Sequence, residues 1–160
     1  MTIKVGEAIP SMKLMVGGPD GPKEVSTDEL FRGKKIVLFA VPGAFTPTCS
    51  AKHLPGFVQN ADAIRGKGVD TIICMAVNDP FVMSAWGKEQ GVDGKIVMLA
   101  DGSGTFTKAL GLELDLVARG LGVRSQRFAL VAQDGKVSYL AVEPPGGFDV
   151  SRAEAVMEHL

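Results

Sequence analysis

The stretch Pro42-Gly-Ala-Phe-Thr-Pro-Thr-Cys-Ser50 holds one of the two cysteines in the chain. Cys49 stands between a short apolar run, Lys34 to Val41, and the residues Leu54, Phe57, Val58, Ala61 and Ile64, whose offsets of three and four predict a helix. A thiol in the first turn of a helix meets unpaired backbone N–H groups and a partial charge of about +0.5, and both favour the thiolate. The thiolate is the nucleophilic form of cysteine. The plainer alternative is a structural thiol, but Thr46, Pro47, Thr48 and Ser50 make a polar, rigid corner, whereas inert cysteines sit among apolar residues. Two other chemistries fit less well. A disulfide-exchange dithiol needs a second cysteine where Lys52 stands, and a metal site has only Cys74 and His159 to add to Cys49 and His53, with no recognised zinc spacing. His53 therefore reads as a packing or hydrogen-bonding residue, and a metal is not expected.

The elements that must position this corner are legible as alternating patterns. Residues 34–41 read as a strand buried on both faces, and the helix after Cys49 ends at Gly66 and Gly68. Pro55 should kink that helix, because it has no N–H for the carbonyl of Ala51. Residues 69–77 form a second buried strand, and Asp79-Pro80 reads as the cap and first residue of a helix through about Glu89. A strand at 95–100, a short helix at 103–110, and two strands, 127–132 and 136–142, around the hairpin signal Asp134-Gly135 follow. Ser151 and Glu154 have capping-box spacing for a final helix, and 17–25 reads as a loop-rich turn between short extended pieces. This order implies an α/β fold with a mixed sheet and helices on both faces, which places Cys49 at the carboxyl end of a central strand.

Composition bounds the rest. A chain of 160 residues with 46% hydrophobic residues, 22% charged residues and a net charge of -1 reads as one soluble domain over residues 1–160, with no electrostatic case for nucleic acid. No apolar run reaches the roughly 20 residues of a membrane span, and the first residues lack a secretory pattern, so a cytoplasmic location is expected.

The runs PGAFTPTCSAKHLPGFV, VNDPFVMSAW, GLGVRSQRFALVAQDGKV and AVEPPGGFDVSRAEAV together resemble the type II peroxiredoxins, the group that includes atypical two-cysteine peroxiredoxin five. The resemblance runs over nearly the whole chain in the right order. It implies a thioredoxin-like fold and thiol-dependent reduction of hydrogen peroxide and alkyl hydroperoxides without metal or cofactor. By matching motif positions it implies Cys49 as the peroxidatic nucleophile, Thr46 and Arg127 as its polar partners, and Pro42 as a shield over the pocket. Strand alternation alone does not choose between Arg124 and Arg127; the family pattern selects Arg127. It further implies a homodimer formed near the active-site corner, although Phe45, Phe81 and Trp86 read as core by their type.

The chemistry decides which of these residues matters most. Lowering a thiol pKa from about 8.5 to about 6 raises the thiolate fraction at neutral pH about thirtyfold but lowers intrinsic nucleophilicity about tenfold, a net gain near threefold. Most of the acceleration must then come from aligning the peroxide and stabilising charge as its O–O bond breaks. Arg127, permanently charged with fixed donors, suits the second task, and the Thr46 hydroxyl can either accept or donate a hydrogen bond. The resulting sulfenic acid needs a second thiol. Cys74 is the internal candidate, since plant members of the family have a cysteine near this position, but its surroundings read as a core strand, and the stretch GGFDVSRAE lacks the late cysteine of the vertebrate form. External glutathione with glutaredoxin, or thioredoxin, is the expected reductant. A peroxide-sensing signalling protein using the same cysteine is the alternative function.

Overall fold

Ile36 to Val41 are apolar without interruption, and the run forms β3 (Lys35–Ala40) in the middle of a seven-stranded sheet in the computed structural model, which describes residues 1–160. The first half of the chain supplies β1 (Lys13–Gly18), β2 (Gly21–Ser26), α1 (Thr27–Phe31), β3, α2 (Leu54–Gly66), β4 (Thr71–Ala76) and α3 (Pro80–Gln90). The second half supplies β5 (Val97–Ala100), α4 (Thr105–Leu110), β6 (Glu113–Leu116), β7 (Gly122–Ser125), β8 (Phe128–Gln133), β9 (Lys136–Val142) and α5 (Ala153–Met157). The strand order is β2-β1-β5-β4-β3-β8-β9, with β6 and β7 forming a separate hairpin. β3, β4 and β5 are mutually parallel, while β1 and β8 pair antiparallel to β5 and β3.

Alternation along β3 and β4 divides the core into two layers. Val37, Phe39, Ile72, Cys74 and Ala76 face α2, α3 and α5, whereas Ile36, Leu38, Ala40, Ile73 and Met75 face α1 and α4. On α2 the buried residues are Leu54, Phe57, Ala61 and Ile64, the predicted stripe, and each large one contributes about 1.5–3 kcal/mol by leaving water. The mixed sheet with helices on both faces is therefore as expected. The β8–β9 hairpin turns on Asp134 (φ 49°) and Gly135 (φ 76°), two consecutive left-handed residues that match the twist of the flanking strands.

Four local expectations change. The region 17–25 is not a loop but the body of the β1–β2 hairpin, with Val16 opposite Lys23 and Gly17 opposite Pro22, leaving only a short turn at Pro19-Asp20. The helix expected from 103 starts at Thr105, because the Asp101 carboxylate accepts from the N–H groups of Phe106 and Thr107 and so sets the start. Ser151 does not cap the last helix; Arg152 occupies that position and the Ser151 hydroxyl donates to Glu143 instead. Pro55 is not inside an unbroken α-helix. A π-helical turn, Cys49–His53, precedes it, the Leu54 N–H reaches back to the Cys49 carbonyl, and Pro55 falls in the first turn of α2. The proline's missing donor thus lies at the change of register, where widening the turn accommodates it.

Candidate active site

The corner between β3 and α2 is tied to the rest of the protein at every few residues. The Val41 N–H donates to the Met75 carbonyl and the Ala44 N–H to Asn78 Oδ1 at 2.9 Å, which fixes the segment to the end of β4. The Thr46 hydroxyl donates to the Gly43 carbonyl at 2.6 Å, and the Ser50 N–H donates to the Thr46 carbonyl, opening the helix. Trp86 Nε1 of α3 donates to Ser50 Oγ at 3.0 Å. Phe45, at the tip, holds a left-handed φ of 65° and stays half exposed. Such a conformation in a bulky residue is held only by its surroundings.

Cys49 sits in the first turn of this helix and is 1% exposed, so the polar character of its sequence neighbours does not translate into solvent access. What distinguishes it is Arg127, the residue just before β8, whose Nη2 donates to Cys49 Sγ at 3.0 Å. Arg127 Nη1 lies 2.7 Å from His53 Nδ1, and His53 Nε2 lies 3.0 Å from the Ser151 carbonyl. Since a guanidinium only donates and a carbonyl only accepts, His53 carries its proton on Nε2 and is neutral. Burial, and then the Arg127 charge, lower its pKa to about 3, so it stays neutral at physiological pH. The Phe148 ring lies 5.8 Å from the guanidinium and packs edge-on against His53. His53 and Cys49 thus share a buried helical face, as their spacing suggests, with an arginine between them and no cluster of His, Cys, Asp or Glu suited to a metal ion.

The structure separates the two candidate arginines. Arg124, on β7, donates through Nε to the Leu121 carbonyl and through Nη1 to the Pro42 carbonyl at 3.2 Å. A Cβ on Gly43 would lie 2.6 Å from Arg124 Nη1 and 3.2 Å from Thr46 Cγ2, so both side chains pack closely over the corner. Arg124 therefore fixes the backbone of the corner and Arg127 touches the sulfur. Thr46 is narrowed as well: with its proton committed to Gly43, its hydroxyl offers lone pairs and can accept a hydrogen bond. A cavity of about 270 Å³ opens over Pro42, Thr48 and Arg127, bounded on the far side by Leu114 and the Pro144-Pro145-Gly146-Gly147 turn. Arg127 thus reaches Cys49 from the start of β8, Pro42 lines the cavity beside Arg127, and Thr46 lies in the same corner three residues before Cys49, bonded to Gly43.

Cys74 is placed differently. It is fully buried in β4, flanked in the sheet by Phe39 on β3 and Met98 on β5. Burial, and then the nearby Cys49 sulfur, push its thiol pKa well up. Both cysteines are free thiols. The aromatic residues divide: Trp86 is core, but Phe45 and Phe81 are exposed, against the reading of their type. Glu143, which lines the cavity, and the Trp86–Ser50 link carry no signal in the sequence, because both depend on segments distant along the chain.

A redoxin family model matches residues 4–157. Peroxiredoxin-2C of Oryza sativa subsp. japonica is 50% identical over 159 residues, covering 99% of this chain and 98% of its own. Peroxiredoxin-2B of Arabidopsis thaliana is likewise 50% identical with the same coverage. Among solved structures, reduced Prx3 of Vibrio vulnificus in complex with hydrogen peroxide superposes with a TM-score of 0.94 at 49% identity, covering 99% of each chain.

Proposed function

Because the chain belongs to the type II peroxiredoxins and is a thiol-dependent peroxidase, we propose that Cys49 is its peroxidatic nucleophile and that hydrogen peroxide and alkyl hydroperoxides enter through the cavity beside Pro42 and Arg127. The observation that carries this reading is the 3.0 Å contact between Arg127 Nη2 and the Sγ of Cys49, a residue only 1% exposed. The Cys49 thiolate attacks the terminal peroxide oxygen. An S–O bond forms, the O–O bond breaks, sulfur loses two electrons, and the leaving alkoxide or hydroxide takes a proton from water. Arg127 stabilises the thiolate and the charge that grows on the departing oxygen, a contribution strengthened by the dry surroundings. The Thr46 lone pairs accept the peroxide O–H, which orients the oxygen toward sulfur. Pro42 closes one wall without offering a competing donor, since proline has no N–H.

The sulfenic acid is reset by an external thiol, either glutathione with glutaredoxin or thioredoxin. Two features favour this over Cys74: its thiol is held protonated by burial, and β4 is hydrogen-bonded on both sides, so presenting the sulfur would disturb the centre of the sheet. Glutathione condenses with the sulfenic acid to a mixed disulfide and water, and a second glutathione then releases the thiol as glutathione disulfide. Because Cys49 is 1% exposed, the π-helical turn must open for this step. Phe45 at the corner and Phe81 in the first turn of α3, both exposed, support a homodimer, to be tested by gel filtration at two concentrations.

Intact mass after one equivalent of peroxide is the decisive measurement. Addition of one oxygen, lost in a Cys49→Ser variant, is expected. Loss of two hydrogens within one chain would instead assign resolution to Cys74. Steady turnover with glutathione or thioredoxin separates a peroxidase cycle from a one-shot peroxide sensor.

A further inference from the structure

The hydrogen bonds around Arg127 do not stop at His53. The Ser151 carbonyl that accepts from His53 belongs to a residue whose own N–H and hydroxyl both donate to Glu143 Oε2, at 2.9 and 2.7 Å. The same oxygen accepts from the Asp149 N–H at 2.6 Å. Glu143 in turn donates its backbone N–H to the Arg127 carbonyl at 2.9 Å. The bonds therefore close a ring that runs from the Arg127 side chain through His53, Ser151 and Glu143 to the Arg127 backbone.

Three of the four residues in the ring are hidden, His53 and Ser151 at 0% exposed and Glu143 at 5%, while Arg127 is partly buried. A carboxylate so placed loses hydration, at a cost in stability unless donors converge on it. Here they do. Although burial pushes the Glu143 carboxyl up, the N–H groups of Asp149 and Ser151 and the Ser151 hydroxyl hold it below its ordinary value. Three donors on one oxygen fix where Ser151 lies, Ser151 fixes the orientation of the imidazole, and the imidazole takes one of the two terminal nitrogens of Arg127. The other terminal nitrogen is left aimed at sulfur.

We infer that Glu143 is a positioning residue for the reaction at Cys49, acting through Ser151 and His53 to hold the Arg127 guanidinium on the sulfur. Resting on the peroxidase reading above, this assigns the segment after β9 a part in the first oxidation that its distance along the chain conceals. A second role as a simple tie for the 143–152 loop makes a different prediction. A tie affects stability alone, whereas a positioning residue also affects the state of the thiol.

The test is Glu143→Gln in the full chain, with Ser151→Ala as a milder variant that leaves Glu143 with its two backbone donors. Single-turnover oxidation by hydrogen peroxide, followed by intact mass, is expected to slow about tenfold in Glu143→Gln and about threefold in Ser151→Ala, the scale of one weakened charge-assisted contact. The ultraviolet thiolate absorbance of Cys49, in a Cys74→Ala background at fixed pH, is expected to fall in both. The direction is diagnostic, since removing a negative charge near the site would by Coulomb's law alone favour the thiolate and raise it. An unchanged oxidation rate or an unchanged or higher absorbance in folded Glu143→Gln overturns the proposal. Should that variant not fold, the same two outcomes in Ser151→Ala overturn it. If the parent protein itself takes up no oxygen, the peroxidase reading has failed, not the positioning role.

Discussion

Cys49 and Cys74 are hidden to the same degree, 1% and 0% exposed, and both belong to the core layer under α2 and α3. What touches each sulfur differs. Cys74 lies in a parallel ladder between Phe39 and Met98, where burial favours the uncharged thiol. Cys49 lies at a widened helical turn with a guanidinium at 3.0 Å and a cavity alongside its partners. Burial alone therefore does not separate an inert thiol from a reactive one. On the proposed assignment the distinguishing feature is the permanent charge delivered to the Cys49 sulfur, a contact that low exposure strengthens, while the same burial favours the uncharged thiol at Cys74.

The largest effect that can break this comparison comes from removing each sulfur in turn. Cys49→Ser is expected to lower peroxide turnover by on the order of a thousandfold or more, to the buffer level. Cys74→Ser is expected to leave the first oxidation within about twofold of the parent, because Arg127 bonds the Cys49 sulfur and Cys74 lies inside the β4 ladder. Its cost appears in stability instead, about 1–3 kcal/mol for a hydroxyl placed in an apolar layer, read from urea melts. A Cys74→Ser variant that no longer took up the first oxygen would dissolve the distinction.

Next in size is Arg127→Gln, which keeps a donor but removes the charge and so makes the environment of Cys49 more like that of Cys74. Loss of a preorganised charged donor is expected to slow the first oxidation about 10²- to 10³-fold. Arg127→Lys restores the charge but cannot bond sulfur and His53 with two fixed nitrogens, so it is expected to recover only part of the rate. Full recovery would mean that charge, without geometry, separates the two thiols. Thr46→Val should be milder, about tenfold in the oxidation rate, since it removes an acceptor for the peroxide proton while Arg127 stays in place.

How much of this was legible in the sequence follows from the range of the interactions. The core strands and α2 could be read from runs and from three-four spacing, because burial imposes those periods locally. Cys49 stood out by its position after β3, and the family pattern selected Arg127, which no local rule prefers over Arg124. The wider ring was not legible. Ser151 has the spacing of a helix cap, yet its hydroxyl donates to Glu143 eight positions earlier, and the better bond to a buried carboxylate displaced the local one. Pro55 misled in the same way, because the π-helical turn that accommodates it depends on a register that spacing alone does not reveal. Sequence periodicity reports which face is buried; it does not report which distant backbone completes a polar site.

The smallest effect separates the surroundings of the two sulfurs by pH. His53, packed beside Cys49, has a pKa of about 3 in the fold against 6.5 when free, because burial and then Arg127 oppose its charged form. Below pH 6.5 the unfolded chain binds a proton there that the folded chain does not, so stability falls as pH falls from 6.5 toward 3. At pH 5 the loss is about 2 kcal/mol relative to pH 7. The groups facing His53 are Arg127, which stays charged, and Glu143, whose lowered pKa keeps it ionised until more acidic pH, where its protonation removes further stability. Cys74, whose thiol burial keeps protonated across this window, contributes nothing to the slope. Urea melts at pH 7 and pH 5 should therefore differ by about 2 kcal/mol in the parent and in Cys74→Ala. In His53→Asn the difference should shrink toward zero, whatever the variant's stability at pH 7. A parent protein equally stable at both values would mean that the imidazole is not held neutral between Arg127 and Ser151, and the ring around Cys49 would lose its central member.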